Sequence, residues 1–413
     1  MDKQACLNTP ISNLECRKNK LLVLIDILIF VYITSIYVFS YTPEMNKYSK
    51  ILALLLMAIL AVYIISKQKI VVSSFLVYFG LFTVFCLCSC MWAKNQSVAI
   101  SKTFTIVQIF ALVFLLYNYL EREKRFVFFL NVMCISGTIF AVYTIMYFGI
   151  EEYLSGMEEG LRIGSEINNV NAIGMMTAIT SLLNLWQFFY RRKKLNFLMA
   201  LMCIVVSLGS GSRTAIIGLL FGIVLLLVLK GNSYKKIISI FLCVIILIVF
   251  YYILSLPAFS FFMDRMESMV DAITGKSNDI DNSSRLRLKM IEVGLIEFSN
   301  RPILGIGIGN STVITAQYFN ETETYLHNNY VELLATTGIV GTFLFYAMFF
   351  IPFLKLIKPS LKQDAFAIIC FVIIAVNLVF HIGSVDYYNK VSFLYLIISW
   401  LCLSNMKKEK VTK

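Results

Sequence analysis

Hydrophobic positions in this chain do not alternate and do not follow an amphipathic period. They form long, nearly unbroken runs separated by short polar connections. The runs predict transmembrane helices at about 21–40, 51–65, 70–91, 103–120, 126–149, 169–190, 195–210, 214–229, 236–256, 328–354, 364–382 and 391–405. Helices are expected because hydrocarbon offers no partner to a backbone N–H or C=O, so each segment must satisfy its own. A membrane barrel would read instead as alternating strands of about ten residues. The expected fold is therefore an all-α integral membrane protein of about twelve spans. One large loop carries short helices of its own.

The connections set an orientation. With the N-terminus in the cytoplasm, the cytoplasmic segments hold 23 of the 36 Lys and Arg residues, including Arg191-Arg192-Lys193-Lys194 and Lys407-Lys408. The acidic stretch with Glu151, Glu152, Glu158 and Glu159 falls on the other side. Both termini are expected in the cytoplasm, and the protein in the cytoplasmic membrane. The chain then divides into residues 1–256 with nine spans, a large extracytoplasmic loop at 257–327, and residues 328–413 with three more, all within one membrane domain.

Composition agrees with this pattern. Of 413 residues, 59% are hydrophobic and 15% charged, with mean hydropathy +0.79, against about 45–50% and about 25% in soluble domains. The net charge of +12 is accounted for by anchoring against anionic lipid and calls for no nucleic acid. The first apolar run is full length behind a polar leader, so no cleavable signal peptide is expected. Most of the ten cysteines lie in apolar runs, where a thiol acts as a small hydrophobe. Cys86, Cys88 and Cys90 alternate, which on a helix separates them, and no histidine lies near. Neither a metal site nor a disulfide framework is expected.

Residues 257–327 break the rule of short connections, and a loop of this length is usually functional. Phe262, Met266, Met269, Val270 and Ile273 recur at helical spacing and predict a helix lying on the membrane. Ser283 and Ser284 are candidate caps for a second helix running to about Phe298, followed by Pro302 and a turn with Gly305, Gly307 and Gly309. That glycine run lacks the strand and βαβ unit of a nucleotide loop and reads as a bend dipping toward the membrane.

Few residues in this chain can carry chemistry. Its two histidines, His327 and His381, open the tenth span and close the eleventh, so both fall at the outer surface; an interfacial polar role is the plain alternative. Arg213 sits in the tight outer turn Ser210-Gly211-Ser212-Arg213-Thr214, where a charge against hydrocarbon is costly and tends to be paired or functional; snorkelling is the alternative. On the second loop helix Arg285 and Lys289 share a face and Arg287 points elsewhere, which favours Arg285 as the residue that works with Lys289; a solvated basic face is the alternative. Asp279-Ile280-Asp281 has the form of a divalent-metal pair, although such pairs are common in polar loops and also suit a helix start.

Three segments together resemble the O-antigen ligase and polysaccharide polymerase family of bacterial membrane proteins. They are Leu326-His327-Asn328-Asn329-Tyr330 through Gly341, Ser284-Arg285 through Arg301-Pro302-Ile303-Leu304-Gly305-Ile306-Gly307, and Gly211-Ser212-Arg213. A weaker likeness is Arg162-Ile163-Gly164 through Asn168-Asn169-Val170-Asn171. Thr336 departs from the pattern, since members often carry an acidic residue there, so no carboxylate is expected to act at that position.

The resemblance implies glycosyl transfer from a polyprenyl-diphosphate-linked oligosaccharide donor to a lipid-linked acceptor at the outer membrane face. Other polysaccharide-assembly proteins would be partners, and no cofactor is implied. It makes His327, Arg213 and Arg285 the catalytic candidates. Arg162, Asn171, Arg287, Lys289, Asn328 and His381 are candidates for substrate contact. The residue types suit the chemistry. Guanidinium forks match a leaving diphosphate and could stand in for a metal ion, and a histidine can take the acceptor proton. Displacement without a protein nucleophile inverts the anomeric centre. Joining repeat units into a capsular or exopolysaccharide is the first expectation, ligation of a glycan to another acceptor the second. A flippase or transporter is the alternative of another class, less expected because transporters place polar residues near the midplane.

Overall fold

The computed structural model describes residues 20–39, 43–68, 70–158, 163–164, 169–231, 252, 282–319 and 324–411. The ninth expected span apart from Tyr252, the expected surface helix at 262–273, the Asp279-Ile280-Asp281 pair and Arg162 lie outside the described residues.

Among the described residues the chain forms α-helices and no strands. In chain order they are α1 (Lys20–Phe39), α2 (Pro43–Lys67), α3 (Ser74–Ser89), α4 (Gln96–Arg122), α5 (Phe126–Phe148), α6 (Ile150–Glu158) and α7 (Val170–Arg191). There follow α8 (Leu195–Gly209), α9 (Arg213–Lys230), α10 (Asn282–Asn300), α11 (Ser311–Tyr318), α12 (Asn329–Leu361), α13 (Ala365–Phe380) and α14 (Lys390–Val411). Each apolar run expected within these residues has its helix. Seven of them, α1, α2, α4, α5, α7, α9 and α12, are long and apolar enough to cross a membrane, and α3, α8 and α13 are shorter apolar helices. Twelve full spans are thus not what length and hydropathy give among these residues.

Large apolar side chains stand exposed on the outside of these helices, among them Leu54, Val62, Ile65 and Phe104, each more than 60% accessible. A soluble monomer rarely tolerates such belts, while lipid contact requires them. Inside, packing depends on small residues. Gly218 and Gly222 lie one turn apart on α9. A methyl group at the first would fall 2.2 Å from Phe380, and at the second 2.4 Å from Leu182. α9 therefore sits tightly against both α7 and α13, as membrane helices do when small residues let the backbones approach.

The helices end in two differently built layers. At one end Asp26 pairs with Arg125 at 3.1 Å and Glu121 with Lys408 at 2.8 Å. At the other end lie both histidines, the Arg213 turn and the start of α2, and there the backbone is irregular.

α12 itself is broken at that end. Gly338 adopts φ +62° inside an otherwise continuous helix. The break frees backbone groups on both sides, and the glycine-rich bend takes them up. Ile306 N–H donates to Ala335 O at 3.1 Å and Gly307 N–H to Thr336 O at 2.9 Å. Ile339 N–H donates to Pro302 O at 2.8 Å and Val340 N–H to Ile303 O at 3.3 Å. The strands of backbone meet so closely that a Cβ on Gly338 would lie 2.3 Å from Ile303 O, and one on Gly305 2.4 Å from Thr336 C. The expected dip of residues 305–309 is therefore a buried insertion into the gap of a broken helix.

Candidate active site

His327 lies in the turn between α11 and α12 with φ +54°, a left-handed conformation that a histidine adopts at a cost of about 1–3 kcal/mol unless its surroundings impose it. Those surroundings are visible. Glu332, one turn into α12 and fully buried, accepts the Leu326 N–H at 3.0 Å and the Ser311 hydroxyl at 2.5 Å. Asn328 caps α12, its Oδ1 accepting from Tyr330 N–H and Val331 N–H at 3.0 and 3.1 Å. With residues on both sides fixed, His327 is held in the turn between them. Its imidazole is half-buried and packs against Tyr325 with ring centres 4.2 Å apart. Its Nδ1 is buried without a hydrogen-bond partner. Burial, and then the positive charge of Arg287, hold its pKa down at about 4, so the ring is neutral at ordinary pH.

That charge comes from Arg287 and changes the reading of α10. Arg285 and Lys289 do share a face, as spacing requires, and it is the exposed face of the helix. Met290, Val293, Gly294 and Glu297 form the buried stripe, and Arg287 lies half-buried at its end. Arg287 acts electrostatically on both Tyr325 and His327. Where spacing alone favoured Arg285, the docked helix presents Arg287 to the histidine.

His381 is a different case. It terminates α13, is completely buried, and sits in a box made by Tyr330, Phe345, Tyr346 and Phe349. Its Nε2 stands 3.9 Å from an Asp386 carboxylate oxygen, beyond hydrogen-bond range. Its carbonyl accepts the Asn329 N–H at 2.8 Å. Asn329 is wholly buried. Its Oδ1 accepts from Asp386 N–H and Tyr387 N–H at 2.8 and 3.1 Å, and its Nδ2 donates to Tyr346 at 2.9 Å. This asparagine latches the 381–387 loop onto the start of α12. The same loop meets the Arg213 turn: a Cβ on Gly383 would fall 2.2 Å from the Thr214 hydroxyl. Arg213, the first residue of α9, is half-buried, with Ser212 capping the helix ahead of it.

Tyr325 connects the histidine turn to a cavity of about 840 Å³. The tyrosine side chain interacts with Asn169, the cap of α7, and Asn169 and Asn171 both line the cavity with it. Desolvation raises the pKa of Tyr325 above its ordinary value, so it acts as a neutral hydroxyl. Asp386 and Asn389 complete part of the wall. Tyr325 and Asn171 line this cavity, His327 and Arg287 stand behind Tyr325 and do not line it, and the 381–389 loop ties His381 and the Arg213 turn to its wall. Among the sequence candidates, Asn328 turns out to be engaged as a cap, with its side-chain oxygen already used twice. Sequence reasoning passed over Tyr325, Asn329 and Glu332. Their one sequence signal was nearness to His327.

Among the described residues no group of three or more His, Cys, Asp or Glu side chains could hold a metal ion.

No curated protein matches the chain. The O-antigen ligase family model matches residues 197–346, a stretch that begins in α8 and contains the Arg213 turn, Arg285, Arg287, the glycine bend, His327 and the first half of α12. Over that stretch the chain is similar to the O-antigen ligase family.

Proposed function

From that family as premise, we propose that the chain is a membrane glycosyltransferase that moves a lipid-linked glycan, and that it joins polyprenyl-diphosphate-linked repeat units into a surface polysaccharide. The observation that carries the reading is the His327 turn: a strained, neutral imidazole under the charge of Arg287, packed on Tyr325, which lines a cavity large enough for sugars. In this reading residues 257–327 face away from the cytoplasm and both termini face it, so chemistry takes place at the outer membrane surface.

The acceptor hydroxyl attacks the anomeric carbon while the bond from that carbon to the diphosphate breaks. The hydroxyl proton passes to His327, and the diphosphate leaves on its polyprenyl chain. Negative charge grows on the leaving group, and Arg287, Arg213 and Arg285 are the cations assigned to meet it. No metal ion is needed for that task, and attack from the opposite face inverts the anomeric centre. Arg287 has a second effect. Together with burial, which is the larger cause, its charge holds His327 neutral and a weak base. An arriving diphosphate neutralises the guanidinium and adds negative charge, which raises the histidine's affinity for a proton when a base is required.

Purified full-length protein in nanodiscs, given a polyprenyl-diphosphate-linked oligosaccharide, should yield a ladder of products with release of polyprenyl diphosphate, and His327→Ala should abolish the ladder. Single transfer to a different acceptor would make the protein a ligase. Translocation of the lipid-linked glycan across sealed vesicles without any new glycosidic bond would make it a transporter and defeat the proposal.

A further inference from the structure

The cavity beside Tyr325 has a second, cationic wall that the catalytic reading does not use. Lys50 of α2 and Lys390, the first residue of α14, both line it, and they lie close enough for their charges to oppose one another. Among the described residues neither forms an ion pair. Two like charges held together at one cavity are unfavourable unless something anionic joins them.

The walls also grade from polar to apolar along two of the contributing helices. On α2, Asn46 and Lys50 give way one turn at a time to Leu54 and Met57. On α7 Asn171 is followed by Ala172 and Met175, whereas α4 mixes the two, with Phe104 ahead of Thr105 and Gln108 and then Ile109 and Leu112. α2 and α7 thus run from hydrogen-bonding groups at the histidine end to hydrocarbon deeper in. Leu54 and Phe104 are exposed by 68% and 63%, so the rim of the cavity on α2 and α4 presents apolar side chains outward. The single carboxylate of the lining, Asp386, already accepts from Ser384 at 2.7 Å and Asn389 at 3.2 Å and suits a sugar hydroxyl.

A pair of unneutralised ammonium groups, amides beside them and an apolar slot below match one chemical class, a phosphorylated long-chain lipid with a sugar head. We propose, resting on the glycosyl-transfer reading above, that this cavity is the seat of a lipid-linked substrate. In it Lys50 and Lys390 clamp the diphosphate between them, and the α2–α4 slot takes the first part of the chain. A lysine is a point charge on a flexible stem, so two of them can follow a diphosphate that moves as its sugar bond breaks.

The test is binding of polyprenyl diphosphate to full-length protein in phosphatidylcholine nanodiscs, with inorganic pyrophosphate and phosphatidylglycerol as comparison probes. Lys50→Gln and Lys390→Gln should each weaken binding about tenfold and the double variant more, as charge-assisted phosphate contacts are lost. Lys50→Arg should retain most of it, which separates loss of charge from loss of fold. Lys47→Gln, on the same helix and outside the cavity lining, should bind as wild type. Pyrophosphate should bind far more weakly than the lipid, because it leaves the slot empty. Unchanged binding in the double variant overturns the clamp, and phosphatidylglycerol competing as well as polyprenyl diphosphate reduces the site to general anionic-lipid adhesion and overturns it too. Transfer assays keep the two readings apart. A double variant that still binds and polymerises as wild type sinks the clamp and leaves glycosyl transfer standing. Wild type that binds lysine-dependently and yields no glycosidic bond with any acceptor sinks glycosyl transfer and leaves the site.

Discussion

The two histidines of this chain occupy matching positions, one at the start of α12 and one at the end of α13, yet the fold gives them opposite settings. His327 stands in a strained turn, half open, with a cation at hand. His381 is sealed among four aromatic rings and contributes mainly its backbone carbonyl, which holds Asn329. Proximity to the membrane surface is therefore a poor guide to chemistry. What separates a reactive side chain from a structural one is how its neighbours constrain and expose it.

The comparison can be broken first at its reactive member. His327→Ala should lower turnover by roughly 10²–10⁴-fold, with donor binding changed little, because proton transfer belongs to the transition state. A loss confined to KM, measured by steady-state transfer with varied donor, would contradict a role in proton transfer. Next comes the cation beside it. Arg287→Gln should cost about 10²-fold in transfer, in the range typical for removing one charge-stabilising donor, and Arg285→Gln should cost less. The opposite ranking would restore the exposed face of α10 as the working one.

The pH profile sharpens the same contrast. With neutral His327 as the proposed base, kcat/KM, which reports the free protein, should fall as pH drops through about 4. The limb of kcat, which reports the loaded site, should lie higher, and Arg287→Gln should move the kcat/KM limb upward toward the ordinary histidine range. Coincident limbs near about 6.5 in all forms would mean that neither burial nor Arg287 acts on His327 as described.

At the structural histidine the effects belong to stability. Asn329→Ala leaves the Asp386 and Tyr387 N–H groups without their acceptor and should cost about 2–4 kcal/mol, read by thermal unfolding in detergent. His381→Phe keeps the ring and removes two buried nitrogens that have no hydrogen-bond partner, so it should change stability by no more than about 1 kcal/mol and leave transfer largely intact. Smallest of all, chelator should leave transfer unchanged. Loss on adding EDTA, restored by magnesium or manganese, would return Asp279 and Asp281 to the mechanism.

Much of this was legible in the sequence, and what was not has physical causes. Apolar runs gave the helices, because a membrane imposes a length and a composition on every crossing. The histidine, the Arg213 turn and the Pro302–Gly309 bend were visible because their residue types are rare in such surroundings. Spacing on α10 put Arg285 and Lys289 on one face and Arg287 on another, and left open which stripe packs inward. Leu286, Leu288, Leu295 and Ile296 are as apolar as the residues that are buried, so periodicity alone could not say which stripe docks. The break at Gly338 is hidden inside an unbroken apolar run. Lys50, Tyr325 and Lys390 meet only in three dimensions, from segments that share no local pattern.

The joint at Gly338 has a consequence for how the molecule can drift in sequence and how it can move. Four backbone hydrogen bonds stitch the glycine bend into the gap of α12, and none of them depends on side-chain identity. The joint itself therefore needs no particular side chain at the bonded positions, while Gly305 and Gly338 cannot be replaced, since a methyl group on either would fall within 2.5 Å of opposing main chain. The amide protons of Ile306, Gly307 and Ile339 should be among the slowest to exchange with deuterium, because releasing them requires the bend to leave the helix as a unit. Any displacement of α10 would then travel through main chain into α12, the helix that begins beside His327.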